Sequence, residues 1–259
     1  MPPVLAWTVL LSNLVIAVGT WGVLVNRATR TALDEGTRGR FAVASAAYII
    51  VWLAVDIALA KSGLLEGTPT SPAPSIAFGL LFAAPLIAGG WLLARSETLR
   101  AIVAAVPLPW LVGVQFYRAL GAVFLVLHAR GELPAEFALP AGWGDLFVGL
   151  SAPVVAYLAS RRAGGSSLAV ASWNTIGILD LVVAVTTGFL SAPNPFQRFA
   201  LSDPNELITA HPLALIPLFA VPLSLVLHGI VFRRLRSWSP TTESGGAGRA
   251  RSLSPAREQ

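Results

Sequence analysis

Five chemistry-bearing side chains interrupt otherwise apolar stretches of this chain: Asp56, Arg118, Asp145, Asp180 and His228. A charge at the centre of a membrane helix costs about 2.5–3.5 kcal/mol on insertion scales, so such residues mark pairing or function. Arg118 lies ten residues from each end of the apolar segment 108–128, and Asp180 about ten from each end of 169–190. At a rise of about 1.5 Å per residue both reach the midplane of a membrane, where bidentate hydrogen bonds between them would offset part of their desolvation. Gln115, one turn before Arg118 on the same face, extends the pair, and Asn13 sits near mid-depth in the first apolar segment. Two roles fit the pair: a salt bridge that fixes helix packing, or an ion site or charge-compensated gate. In the second role His228, with Ser224 one turn away, and Asp56 are the stepping points of a path.

A second group lies toward the opposite ends of the segments: Asp56, Asp145, His128 and His211, with Glu132 and Glu136 close in sequence. Carboxylates and imidazoles together can hold zinc, but these spacings match no ligand motif. His128 and His228 lie at different depths, which argues against a shared haem. The sequence therefore leads us to expect no metal and no cofactor. The tetrapeptide Gly142, Trp143, Gly144, Asp145 resembles the signature of the GxGD intramembrane aspartyl proteases. The resemblance implies that Asp145 is one catalytic carboxylate and Asp56, on an earlier helix, its partner. It covers four residues, and the chain departs from the family pattern in having Val55 before Asp56, where a tyrosine belongs, and in lacking a PAL motif. The same residues also read as a Gly-rich start of the fifth segment, with an acidic group favoured there by the helix dipole.

The elements that position these groups follow from composition. Of the 259 residues 55% are hydrophobic and 12% charged, against about 25% charged in a soluble domain. Seven segments are long enough to span a hydrocarbon core of about 30 Å: 4–25, 41–61, 75–94, 108–128, 142–159, 169–190 and 213–233. Lipid offers no partner to open backbone groups, so each is predicted to be a helix, and the fold an all-α seven-helix bundle over 1–236. Pro85, Pro107, Pro109, Pro153, Pro217 and Pro222 predict kinks, the strongest in the seventh segment. Gly19 and Gly22, Gly89 and Gly90, and Gly113 and Gly121 are small enough to let helices approach closely.

Fourteen arginines fall between segments on one side, from Arg27 to Arg257, and Lys61, Arg130 and Arg198 on the other. By the positive-inside rule the N-terminus is expected outside and the C-terminus in the cytoplasm. The dispersed arginines do not form the single basic face of a nucleic-acid binder. Seventeen arginines against one lysine suggest a GC-rich bacterial genome, hence an inner membrane. The first segment lacks a basic leader and a cleavage site, and reads as a retained helix. Zero cysteines exclude thiolate metal sites and disulfides. Residues 237–259 are expected to be a disordered basic tail, whose arginines suit anionic lipid.

Asp203, Pro204 and Glu206 predict a short surface helix over 204–210, bearing Leu207 and Ile208. No segment between helices is long enough for a nucleotide fold. No lysine stands in the seventh segment for a retinal, no DRY-like triplet follows the third, and a PQ dipeptide is missing. The leading expectation is a small carrier or channel for an ion, proton or small solute, with lipid as its surroundings. A membrane enzyme using Asp145, His128 and His211, or a non-catalytic scaffold or assembly subunit, are the alternatives.

Overall fold

Proline and short polar side chains start most of the helices. In the computed structural model, which describes residues 1–162 and 165–236, α1 spans Pro3–Ala28 with proline in its first turn. In α2 (Glu35–Lys61) the Asp34 side chain accepts the Thr37 N–H at 2.9 Å, satisfying one of the first-turn donors. After α3 (Ala73–Arg95), Ser96 does the same for the short α4 (Glu97–Ala104), accepting from Leu99 N–H at 3.1 Å. Pro107 and Pro109 do not kink the fourth span but open it. They lie at the start of α5 (Leu108–Gly113), where a missing N–H costs nothing.

The fourth span changes its winding midway. Val114–Gly121 is a 3₁₀ segment of eight residues, and α6 (Ala122–Ala129) completes the crossing. The fifth span, α7 (Ala135–Arg161), contains Pro140 and Pro153, and α8 is Ser166–Ser191. The seventh span opens with a π-helical turn, Ile216–Ala220, and continues as α9 (Val221–Leu235). Pro222 removes the N–H that would serve the Leu218 carbonyl, and the Trp52 indole N–H of α2 donates to that carbonyl at 3.1 Å instead.

Seven of these helical stretches are long and apolar enough to cross a membrane among the described residues. The fourth and seventh spans are the most enclosed, while the second and third face outward along most of their length. Val4, Leu11, Val15, Leu80, Ile87, Leu150 and Leu168 stand exposed on the rim, a surface suited to lipid. Of four buried apolar clusters among the described residues, the two largest fill most of the interior. One, around Val112, Val148, Trp173 and Val231, lies in the half that ends in arginines, and the other, around Phe124, Leu127, Phe137 and Leu213, lies beneath the long loop 192–215.

Two sequence expectations fail here. The fifth span begins at Ala135 rather than 142, because Pro134, extended at φ −68° and ψ 146°, sets the helix off early. Asp145 is therefore three turns inside the helix and not at its start. The helix expected over 204–210 contracts to a single 3₁₀ turn, Leu207–Thr209, with no side-chain cap. Asn205 prevents more: its backbone N–H donates to the Ser191 carbonyl at 2.9 Å and its side-chain amide to Ser191 Oγ at 3.2 Å, tying the chain across the end of α8. The tail expected at 237–259 lies outside the described residues.

Candidate functional site

Arg118 is the hub of a buried polar centre between the two larger apolar clusters. The residue, 3% exposed, faces acceptors on three neighbouring helices. Nε donates to Asp145 Oδ1 of α7 at 2.8 Å, Nη1 to the Gly177 carbonyl of α8 at 3.1 Å and Nη2 to Asp180 Oδ2, with Nη2 also in ion-pair contact with Asp145 Oδ1 at 2.8 Å. Charged donors in a planar fork suit such multidentate bonding and offset the desolvation of each ion.

The orientation of His228 follows from its neighbours. The Asn174 amide donates to the His228 carbonyl at 3.1 Å, so its Oδ1 is the atom that faces His228 Nδ1 at 2.7 Å. Nδ1 must then carry the hydrogen, which leaves Nε2 as an acceptor 3.4 Å from Arg118 Nη1. Trp173 packs beside the ring, centroids 5.6 Å apart, and anchors its own N–H on Ser151 Oγ at 2.9 Å. His228 is fully buried.

Gln115 joins the centre through the seventh span. It donates to the Ser224 carbonyl at 3.3 Å and accepts from Ser224 Oγ at 3.2 Å, while the Tyr117 hydroxyl lies 2.5 Å from the same Oγ. The 3₁₀ winding makes this possible: at about three residues per turn, Gln115, Arg118 and Gly121 fall on one line, and all three are buried.

Missing side chains make room for the charges. A methyl on Gly144 would overlap the Asp180 carboxylate, and one on Gly121 the Asp145 carboxylate. A methyl on Gly177 would come within 2.5 Å of the His228 ring. By contrast Gly19, Gly22 and Gly90, expected at close helix contacts, have nothing within 4 Å of that position. Gly89 and Gly113 do meet a neighbouring helix, at Val226 and Ala156, and Gly142 and Gly149 let α7 close on Leu125 and on the Ala119 backbone, so close approaches serve helix packing as well as the charged centre.

Two cavities meet at Asp145. The larger, about 210 Å³, runs from Pro193 and Asn194 at the long-loop face down to Asp145 and is lined chiefly by apolar groups, among them Phe78, Phe82, Phe124, Phe137 and Phe189. The smaller, about 40 Å³, lies behind it and is lined by Asn13, Tyr117, Arg118, Asp145 and Ser224.

The structure thus brings together Arg118, Asp180, Gln115 and His228, and moves Asp145 from the outer group into this centre. Asp145 turns inward because Arg118 is its partner and the span starts early. The rest of the outer group does not assemble around it. His128 Nδ1 donates to the Leu133 carbonyl at 2.9 Å and closes a turn, and His211 Nε2 has no hydrogen-bond partner among the described residues. Burial and the nearby Lys61 charge hold the His211 imidazole below its ordinary pKa. Among the described residues no three His, Asp or Glu side chains gather to hold a metal. Asp56, 1% exposed, has no hydrogen bond or ion pair to the centre, and its Oδ2 has no partner among the described residues.

Asn174 and Tyr117 escaped the sequence reading. The stripe Asn174, Gly177, Asp180, every third residue of an apolar helix, is the signal that marks the first of them.

No curated protein and no solved structure matches the chain. A family model described as "Domain of unknown function (DUF8737)" matches residues 74–236, which include every residue of the hydrogen-bonded centre but neither Asn13 nor Asp56. The chain belongs to the DUF8737 family.

Proposed function

We propose that this protein is a small cation-coupled carrier of the bacterial inner membrane, with the N-terminus outside, the C-terminus in the cytoplasm and lipid as its only obligatory surroundings. The observation that supports the reading is a charge imbalance: two carboxylates, Asp145 and Asp180, share one guanidinium. With all three ionised the centre carries one excess negative charge in a low-dielectric interior, and a proton or monovalent cation is what balances it. A structural clamp needs one carboxylate for one arginine. The second carboxylate, at the floor of the 210 Å³ cavity, gives a solute approaching from the long-loop face a charge to meet.

In this reading Arg118 holds the two carboxylates at fixed positions, His228 and Asn174 fix Arg118, and the cation comes and goes at Asp145. The test is flux through vesicles containing the purified protein, with a sodium or proton gradient imposed across a potassium-clamped membrane and the interior read by a pH dye and by sodium uptake. We expect cation movement above that of empty vesicles, abolished by Asp145→Asn, which keeps the hydrogen-bonding shape and removes the excess charge. Wild-type vesicles indistinguishable from empty ones would sink the carrier reading.

A further inference from the structure

The geometry points to a specific seat for the balancing cation: the 40 Å³ cavity bounded by Asn13, Asp145, Ser224 and Tyr117 is a binding site for one monovalent cation of the sodium class. The inference deepens the carrier reading and rests on its charge balance, but it is tested by binding alone.

Three observations carry it. Asn13 is 2% exposed and lines the cavity; its amide is committed to the Val9 carbonyl at 2.8 Å, and its Oδ1 has no hydrogen-bond partner among the described residues. A buried carbonyl oxygen left without a donor is costly, so something in the cavity must satisfy it. Asp145 supplies the second oxygen. Both Arg118 contacts fall on Oδ1, and Oδ2, which points to Gly121 on the cavity wall, receives no hydrogen bond among the described residues. The hydroxyl oxygens of Ser224 and Tyr117 add two more oxygen ligands of the kind that hard cations take, set in an otherwise largely apolar wall.

Charge then selects the occupant. One excess negative charge matches a monovalent ion and not a divalent one. Arg118 also borders the cavity, but its donors are turned to Asp145, Gly177 and Asp180. Asn13 lies on α1, outside the matched family region, so the cation would also couple the first helix to the charged centre.

The experiment is thermal unfolding of the purified full chain in neutral detergent, followed by tryptophan fluorescence, with sodium chloride exchanged for choline chloride at constant ionic strength. Saturable stabilisation by sodium is expected, since a ligand bound only by the folded state raises its stability. Asn13→Leu should raise the half-saturating sodium concentration by about tenfold or more, and Asn13→Asp, which adds a carboxylate, should lower it. Identical melting of the wild type in sodium and choline would mean that the cavity holds water only and overturns the inference. So would an unaltered sodium response in Asn13→Leu, which would put the ion elsewhere. Sodium-dependent stability without any flux in vesicles would keep this inference and reject the carrier.

Discussion

Arg118 sets two of its nitrogens on a single oxygen of Asp145, with Nε and Nη2 each 2.8 Å from Oδ1. Asp180 takes only Nη2. The arginine is therefore shared, and a charge swap aimed at Arg118 and Asp180 alone leaves Asp145 opposite a carboxylate. The double variant Arg118→Asp with Asp180→Arg is expected not to recover the folded yield lost by either single change. Arg118→Met, which strands both carboxylates, should cost about 3–5 kcal/mol. Arg118→Lys should also melt lower than wild type, because one ammonium cannot span Asp145, Asp180 and the Gly177 carbonyl together. Fluorescence-detected size exclusion and melting temperatures read all of these; recovery by the double swap would show that Asp180 is the only partner that matters.

Space beside the charges is as specific as the charges. Gly144→Ala puts a methyl into the Asp180 carboxylate and is expected to destabilise by about 1–3 kcal/mol, the cost of overpacking. Gly19→Ala, with nothing within 4 Å, should stay within about 0.5 kcal/mol of wild type. Equal melting temperatures for the two variants would contradict the tight packing around Asp180.

The Trp52 indole and Pro222 are coupled through the Leu218 carbonyl. Trp52→Phe removes the donor and should cost about 1 kcal/mol for the hydrogen bond, beyond any change in packing. In a Pro222→Ala background the new backbone N–H can serve the same carbonyl, so the cost of Trp52→Phe should shrink. A double-mutant cycle of melting free energies with no interaction between the two sites would remove this account of the seventh span.

His211 gives a pH dependence outside the spans. Burial, and then the Lys61 charge, hold its pKa below 6.5 in the folded protein, so the unfolded chain binds more protons as pH falls past that value. The stability it contributes is complete above about pH 6.5, the ordinary histidine value, and is lost as pH falls toward the depressed folded value. Melting temperatures measured across this window should fall with pH in the wild type, and less in His211→Asn. An unchanged slope in the variant would place the titrating group elsewhere.

The spans and the meeting of Arg118 with Asp180 were legible in the sequence because both depend on quantities it displays: apolar run length and depth along a run. Asp145 was misread for a local reason. Ala135 to Ala141 sits between charged Glu132 and the Gly-rich tetrapeptide and reads as loop, whereas Pro134 starts a helix there and carries Asp145 to the depth of Arg118. Asn174 was missed because an asparagine in an apolar run has no distinctive period until its stripe with Gly177 and Asp180 is traced. The failure of the 204–210 helix was not readable at all, since Ser191, which captures Asn205, is remote in sequence.

The eight residues Val114–Gly121 also set a length. A 3₁₀ segment rises about 2.0 Å per residue against about 1.5 Å in an α-helix, so this stretch is about 4 Å longer than the same residues wound as α. The fourth span is thus extended like a drawn spring at its middle, with the arginine mounted on the drawn coils. Rewinding those coils to α would draw its two ends together and turn Arg118 out of line with Gln115 and Gly121, so the length of this span and the alignment of its charge cannot change independently.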